Sequence, residues 1–363
     1  MESETHEPAP DEAQAPEPER RPAEAELEAA ESEAEAESTA EVAGAAGAGA
    51  DTAAPPVDKP AEAFAPDEAE AAEAAEAAEE EVEAEPDEGL EEDKAAAHAG
   101  PARSLDGRRV AIGVDIGGSG IKAAAVDLDT GELVSQRHRV PTPQPSAPAA
   151  VMASIARLIK RIGAEVQLGP DTAVGVGFPG VITGGVTRTA ANVDPGWLDF
   201  DADAAMQRVL RRPVHLINDA DAAGVAEMRF GAGVGRLGTV FLITLGTGTG
   251  SALFYNGTLV PNLELGHMEI RGRDAEKRSA AAARIRRGIS WKAWAADLDE
   301  HLLAIERLFW PQLFIIGGGV SKRSEKFIPR LTVRAEVIPA RLLNDAGIVG
   351  AAMAADERER SAG

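Results

Sequence analysis

The sequence predicts an α/β protein of two similar lobes facing a cleft, preceded by a long acidic tail. Three observations carry that expectation. Residues 1–107 hold 34 of the chain's 61 acids and only 5 of its 36 bases. Beyond them, apolar runs punctuated by glycine begin abruptly. Within this second part the order strand, glycine turn, strand occurs twice, each time followed by further strand and helix signals.

The tail has a net charge of −29, so the remaining 256 residues have a net of +4 within the chain's total of −25. Ala, Glu and Pro dominate the tail, and Phe64 is its only aromatic residue. Such a composition buries too little apolar area to offset the entropy of ordering it, so residues 1–107 are expected to be disordered. Residues 68–85 contain good helix formers, but their glutamates recur at i,i+3 without cations between them, which opposes a helix. A solubilising tail is favoured over a docking arm or a polyanion mimic. The chain has no cysteine, which excludes disulfides, thiolate catalysis and Cys-ligated zinc. The N-terminus lacks a signal-peptide pattern and no run of about 18 apolar residues occurs. A cytoplasmic protein without membrane or nucleic-acid partners is the expectation.

Residues 110–114 form a short apolar run, followed by Asp115-Ile-Gly-Gly-Ser-Gly and a second run over 121–128. An Asp129-Thr-Gly turn then leads to 132–134, so the opening reads as a β-meander. Apolar residues at helical spacing (Val151, Ile155, Leu158, Ile159, Ile162) predict a helix over 147–163. Residues 172–182 read as a strand broken at Phe178-Pro-Gly, 214–217 as a strand, and 220–230 as a helix. The second cycle runs through a strand at 239–245, the turn Gly246-Thr-Gly-Thr-Gly and a strand at 251–255. A mainly helical stretch over 289–308, a strand at 313–316 ending in three glycines, and a closing helix over 344–355 complete it.

In the first turn, Gly117, Gly118 and Gly120 let backbone N–H groups approach an anion, with Ser119 and Lys122 adding a hydroxyl and a cation. Asp115, ending a strand, is placed to hold Mg²⁺ through water. Gly246, Thr247 and Gly248 form a second turn of this kind. No GxxxxGK[ST] and no protein-kinase signature occurs. Asn218-Asp219-Ala220-Asp221 sits where a strand stops and a helix begins. Position favours Asp219 as a general base at the cleft, whereas Asp221 in the first helical turn reads as structural. Glu264, His267 and Glu276 are suited to gripping vicinal hydroxyls. Residues 271–287 hold seven bases against two acids, which reads either as a solvated face or as a track for a linear polyanion. Trp291, Trp294 and Trp310 read as helix core, with a dimer interface as the alternative.

In this order, DIGGSGIK, TAANVD, NDADAAG, GTGTG, ELGH and FIIGGGVSK resemble the ROK family of sugar kinases. TPQP, TRTAANVD and NDADAAGVAEMR resemble a narrower group within it, the polyphosphate glucokinases. The similarity spans about residues 108–356 and none of the tail. It implies the actin/hexokinase superfamily: two actin-like (ribonuclease H-like) lobes, the first over 108–219 completed by the closing helix 344–357, the second over 220–343. It also implies that Asp219 is the base on a sugar 6-hydroxyl, and that Gly180, Asn192, Asn218, Glu264, His267 and Glu276 contact the sugar. Asp115, Gly117, Gly118, Ser119 and Lys122 would form one phosphate site and Gly246, Thr247 and Gly248 another. Gly317, Gly318 and Gly319 would lie beside a nucleotide or a longer phosphate chain. Glucose, a polyphosphate or ATP donor, Mg²⁺ and a homodimer follow from the resemblance. Many ROK proteins have a Cys-rich zinc site near the ELGH histidine; this chain has no cysteine, so no zinc is expected at His267. A strictly ATP-dependent glucokinase and a sugar-sensing ROK regulator are the competing readings, the latter disfavoured because an acidic N-terminal segment would repel a phosphate backbone.

Overall fold

The computed structural model describes residues 108–190 and 193–362, so the expected disordered tail and Asn192 lie outside the described residues. The first sheet begins with the meander β1 (Val110–Ile116), β2 (Gly120–Asp127) and β3 (His138–Pro141). β1 and β2 pair antiparallel from Val110 opposite Asp127 to Ile116 opposite Ile121, and β2 pairs antiparallel with β3. The expected third strand at 132–134 is corrected here. Leu133 makes only an isolated bridge to Val126, and the true third strand lies five residues further on. The physical reason is a tight turn: the Asp127 carboxylate accepts from the backbone N–H groups of Asp129 and Thr130, and Gly131 takes φ +76°.

Helix α1 (Pro148–Glu165) follows, started by proline, and buries its apolar stripe from Val151 to Ile162. β4 (Val174–Phe178) pairs parallel with β1. A small three-stranded sheet of β5 (Ile182–Thr183), β6 (Val186–Thr187) and β7 (Phe200–Asp201) then leads to helix α2 (Ala202–Leu210), which Asp201 caps. β8 (Val214–Asn218) completes the first sheet in the order β3-β2-β1-β4-β8 and runs directly into helix α3 (Asp219–Phe230).

The second sheet repeats the pattern with β9 (Thr239–Leu245), β10 (Thr249–Tyr255), β11 (Thr258–Val260), β14 (Leu313–Gly317) and β15 (Glu336–Pro339), in the order β11-β10-β9-β14-β15. Both sheets therefore consist of an antiparallel meander extended by two parallel strands on the side of the first strand. A two-stranded ribbon, β12 (Glu269–Ile270) with β13 (Arg273–Asp274), precedes helices α4 (Glu276–Ser279), α5 (Ala281–Arg287) and α6 (Trp291–Phe309). β15 had no signal in the sequence reading, because its four residues are flanked by turns and only partly buried.

Each sheet is covered on both faces. The inner β1 and β4 side chains Ile112, Val114, Val174 and Val176 pack with the α1 stripe. On the opposite face Ala111, Ala124 and Val126 meet Ile348, Val349 and Ala352 of the closing helix α7 (Ala346–Ala362). In the second sheet Phe241, Ile243 and Phe314 pack against Trp294, Leu298 and Leu302 of α6. Helix α3 contributes to clusters on both sheets, packing against α7 through Ala226 and against β10 through Ala223 and Val225. Trp291 and Trp294 are core residues beside Phe327, while Trp310 is exposed with Arg334 stacked on its ring. Among the described residues no helix is long and apolar enough to cross a membrane.

Glycine sets how closely α7 approaches its sheet. A Cβ on Gly113 would lie 1.8 Å from the Ile348 carbonyl oxygen, and one on Gly175 would lie 1.7 Å from that of Ala351. Gly350 makes the equivalent approach to the Ala222 carbonyl of α3, at 1.6 Å. Gly163 in α1 has open space around its missing side chain. Gly175→Ala is therefore expected to destabilise the fold by more than about 3 kcal/mol in chemical denaturation, because backbone must move. Gly163→Ala should add about 0.5–1 kcal/mol by restricting the unfolded chain. Equal, small effects from the two variants would contradict the close-packed junction.

Candidate active site

The site grows from the β8–α3 junction, where the strand ends at Asn218 and the helix starts at Asp219. Asn218 caps α3, its Oδ1 accepting from the Asp221 N–H at 3.0 Å. Its amide nitrogen donates to the Gly180 carbonyl at 3.2 Å and towards Glu264 Oε1 at 3.5 Å. One side chain thus joins three residues singled out as sugar contacts: Asn218, Gly180 and Glu264.

Asp219 is half-buried at the start of α3. Its Oδ1 accepts from the Ala220 N–H at 2.8 Å. Burial, then the charge of Asp115, with Glu264 and Asp221 adding less, pushes this carboxyl up from 3.8 to about 7. Asp221, 1% exposed, is also pushed up to about 7, by burial first and then by Glu264. Its Oδ2 accepts from the Asn262 N–H at 2.7 Å, whereas its Oδ1 has no partner among the described residues. Its carboxylate holds Asn262, whose side-chain amide in turn bonds both backbone groups of Ile182 at 2.8 Å. Sequence reasoning missed Asn262, which takes φ +63°, a conformation that asparagine tolerates best after glycine.

Glu264 is raised above the usual carboxylate range by burial, an effect that Glu276 reinforces and His267 opposes. His267 is exposed, with Nδ1 3.4 Å from Asp274 Oδ2. Glu276 stands at the second glycine turn rather than with the sugar residues alone: its Oε2 accepts from the Thr249 N–H at 3.2 Å. A Cβ on Gly248 would lie 2.6 Å from that oxygen, so a larger residue there would push the Glu276 carboxylate aside. His267, Asp274 and Glu276 offer ligand atoms within 4.8 Å of one another, all on exposed or half-buried side chains.

The first glycine turn is closed by the Gly117 N–H on the Gly120 carbonyl at 3.0 Å, and Thr142 of the TPQP segment donates to the Gly117 carbonyl at 2.6 Å. Gly118 and Ser119 are exposed at its tip. Asp115 pairs with Lys122 at 3.4 Å and lies against Gly347 in the first turn of α7. The second turn is closed by Gly246 N–H on the Gly248 carbonyl. Gly318, at φ +84°, comes so close to the chain at Leu245 that a Cβ would lie 2.3 Å from its carbonyl oxygen. The Gly317–Gly319 run therefore adjoins the second turn. Gly250 ends that turn against Ala220, which brings the second sheet to the start of α3.

Most of the basic stretch 271–287 is engaged locally, although Arg273 has no ion pair among the described residues. Arg271 and Arg278 pair with Glu300, and Arg278 and Arg287 pair with Asp297, both acids lying on α6. Arg284 stacks on Trp291 at 4.0 Å, Lys277 pairs with Glu276, and Arg286 donates to the Lys277 carbonyl. The paired acids lie twenty or more residues away from much of the run, so counting charge within it could not find them.

A profile of the ROK family matches residues 111–281. The chain is 48% identical over 248 residues to the polyphosphate glucokinase of Mycobacterium tuberculosis (strain CDC 1551 / Oshkosh), covering 68% of this chain and 91% of that protein. A crystal structure of an inorganic polyphosphate/ATP-glucomannokinase from Arthrobacter sp. strain KM is similar at 50% identity and a TM-score of 0.67, covering 69% of this chain and 99% of the other. A ROK family glucokinase from Streptomyces griseus, in complex with glucose and AMPPNP, shares the fold at 24% identity and a TM-score of 0.59, covering 68% and 99%. With its two matching sheets, paired glycine turns and this degree of identity, the chain belongs to the ROK family.

Proposed function

We propose that this protein transfers a phosphoryl group from inorganic polyphosphate, and from ATP, to the 6-hydroxyl of glucose, giving glucose 6-phosphate. The observation that carries the reading is Asp219. It is a carboxylate at the carboxyl end of a parallel strand, with its affinity for protons raised to about 7. The neighbouring Asn218 amide joins Gly180 and Glu264, and the charges of Asp115 and Glu264 act on Asp219. A base of that strength takes a hydroxyl proton as the oxygen attacks phosphorus and remains ionised in a large fraction of molecules at neutral pH. The relatives' activities support the same reaction.

In this reading Asn218, Glu264 and the Gly180 carbonyl orient the sugar, with Asn192 and His267 completing its contacts. Glu276 belongs to both halves of the site, since it faces Glu264 and holds the second turn at Thr249. The N–H groups of Gly117, Gly118, Ser119 and of Gly246–Gly248, with the Lys122 ammonium, receive the phosphates and meet charge as it develops. Gly317, Gly318 and Gly319 flank the route of the rest of the donor. The lobes would be 108–219 with the closing helix, and 220–343. Mg²⁺ fits the donor set: Asp115 and Asp219 are hard oxygen groups close enough for one to raise the other, and a divalent cation relieves that repulsion. Asp115 would hold it, and its chemistry there would be to neutralise donor phosphate charge. No zinc belongs to this reading.

The strictly ATP-dependent alternative has one observation in its favour, the pairing of Arg271, Arg278 and Arg287 with acids of α6. Separate and competing assays of glucose 6-phosphate formation with long-chain polyphosphate and ATP distinguish the two. Both donors are expected to work; ATP alone would leave the alternative, and neither would overturn the kinase reading.

Asp219→Asn should lower turnover by ~10²–10⁴ with glucose still bound. Near-normal turnover would remove Asp219 as the base. Stability should move the other way. The folded state binds this proton more tightly than the unfolded chain, so ionising Asp219 destabilises the fold progressively between pH 3.8 and about 7 and fully above that. The asparagine variant should therefore melt at a higher temperature than wild type at pH 8, with the gain shrinking towards pH 4. A lower melting temperature at pH 8 would contradict a strained carboxylate.

A further inference from the structure

A linear polyphosphate donor needs a cation beyond the first phosphate, and Arg271, Arg278 and Arg287 of the basic stretch after the sugar motif are paired with acids of α6. Arg139 lies on β3, the edge strand of the first sheet, directly opposite Lys122 on β2, which is itself opposite Asp115 on β1. Directly opposed residues in antiparallel pairs share a face, so Asp115, Lys122 and Arg139 form one row across three strands. Lys122 is paired with Asp115, while Arg139 forms no ion pair among the described residues.

Its side chain is nevertheless placed. Nη2 donates to the Ser119 carbonyl at 3.2 Å and to Ser119 Oγ at 3.3 Å, at the tip of the first glycine turn. The guanidinium lies flat enough on Gly120 that a Cβ there would come within 2.6 Å of Nε and 2.9 Å of Cζ. A planar cation is thus docked on this turn with its Nε and Nη1 donors unpartnered among the described residues. It is exposed, and among the described residues no carboxylate pairs with it to make the contact purely structural. An arginine fork matches phosphate oxygens in two-point contact, and its charge cannot be lost by deprotonation.

We propose that Arg139 is a binding residue for the second or third phosphate of an inorganic polyphosphate chain, which leaves the first glycine turn along the β2–β3 edge. This rests on the kinase reading above and assigns the donor's direction within it. A nucleotide donor, by contrast, has its phosphates tethered to an adenosine proposed to lie on the other sheet, beside Gly317–Gly319. The two donors then share the transferred phosphate but diverge after it, and Arg139 favours the donor that continues as phosphate.

The test is steady-state kinetics of full-length wild type, Arg139→Ala and Arg139→Lys, with long-chain polyphosphate and with ATP at fixed Mg²⁺ and several salt concentrations. Arg139→Ala should raise the polyphosphate KM at least fivefold more than it raises the ATP KM. Lysine should recover part of that loss, because a point charge keeps the attraction but not the fork. The slope of log KM for polyphosphate against log salt should become shallower by roughly one for the lost phosphate contact, an argument carried over from polyanionic nucleic acids. Equal KM changes for both donors would show that Arg139 only shapes the turn, and no change would show that it contributes nothing; either overturns the proposal. Wild-type enzyme inactive with polyphosphate would instead defeat the donor reading on which the proposal rests.

Discussion

The organising constraint in this protein is a half-buried carboxylate held beside other carboxylates. Asp219 is raised towards neutrality by burial and by Asp115, Glu264 and Asp221, an arrangement that opposes folding at any pH where the group is ionised. It persists because rigid neighbours hold it: β8 delivers it, Asn218 caps its helix, and α3 is clamped on both sides by packing. Its immediate compensation is the Ala220 N–H at 2.8 Å.

Three glycines make that clamp possible. Gly113, Gly175 and Gly350 let α7 lie against β1, β4 and α3 at distances no side chain would permit. A helix from the end of the chain thereby backs the strand that carries Asp115 and the helix that carries Asp219. On the other side, Gly250 allows the second turn to reach Ala220. The chemistry at the cleft and the packing behind it are two consequences of the same close approaches.

Much of this was legible in the sequence, and the parts that were not share a cause. Alternation and turn residues located the two meanders and most helices to within a few residues, because burial on a sheet or a helix stripe leaves a periodic trace. The position of Asp219 at a strand end was legible for the same reason. The third strand of the first meander was misplaced because Asp127 binds the following backbone, a local hydrogen bond that periodicity does not record. Charge counting left 271–287 open between a solvated face and a polyanion track, because the acids that pair with it, Asp297 and Glu300, lie on the next long helix. Asn262 and Arg139 were overlooked because each acts through contacts to segments distant in sequence: Asn262 on Ile182, eighty residues away, and Arg139 on Ser119. Glu276 was assigned to the sugar from its motif, whereas Thr249 and Gly248 place it at the second glycine turn as well.

The most direct test of the account is the pH dependence of kcat/KM for glucose at saturating donor, in wild type and in Asp221→Asn. If Asp219 is the base in a site that raises it to about 7, kcat/KM falls tenfold per unit below that pH, levels off above it, and keeps this limb in Asp221→Asn. A profile flat down to pH 5, or a limb that vanishes with Asp221, would contradict it.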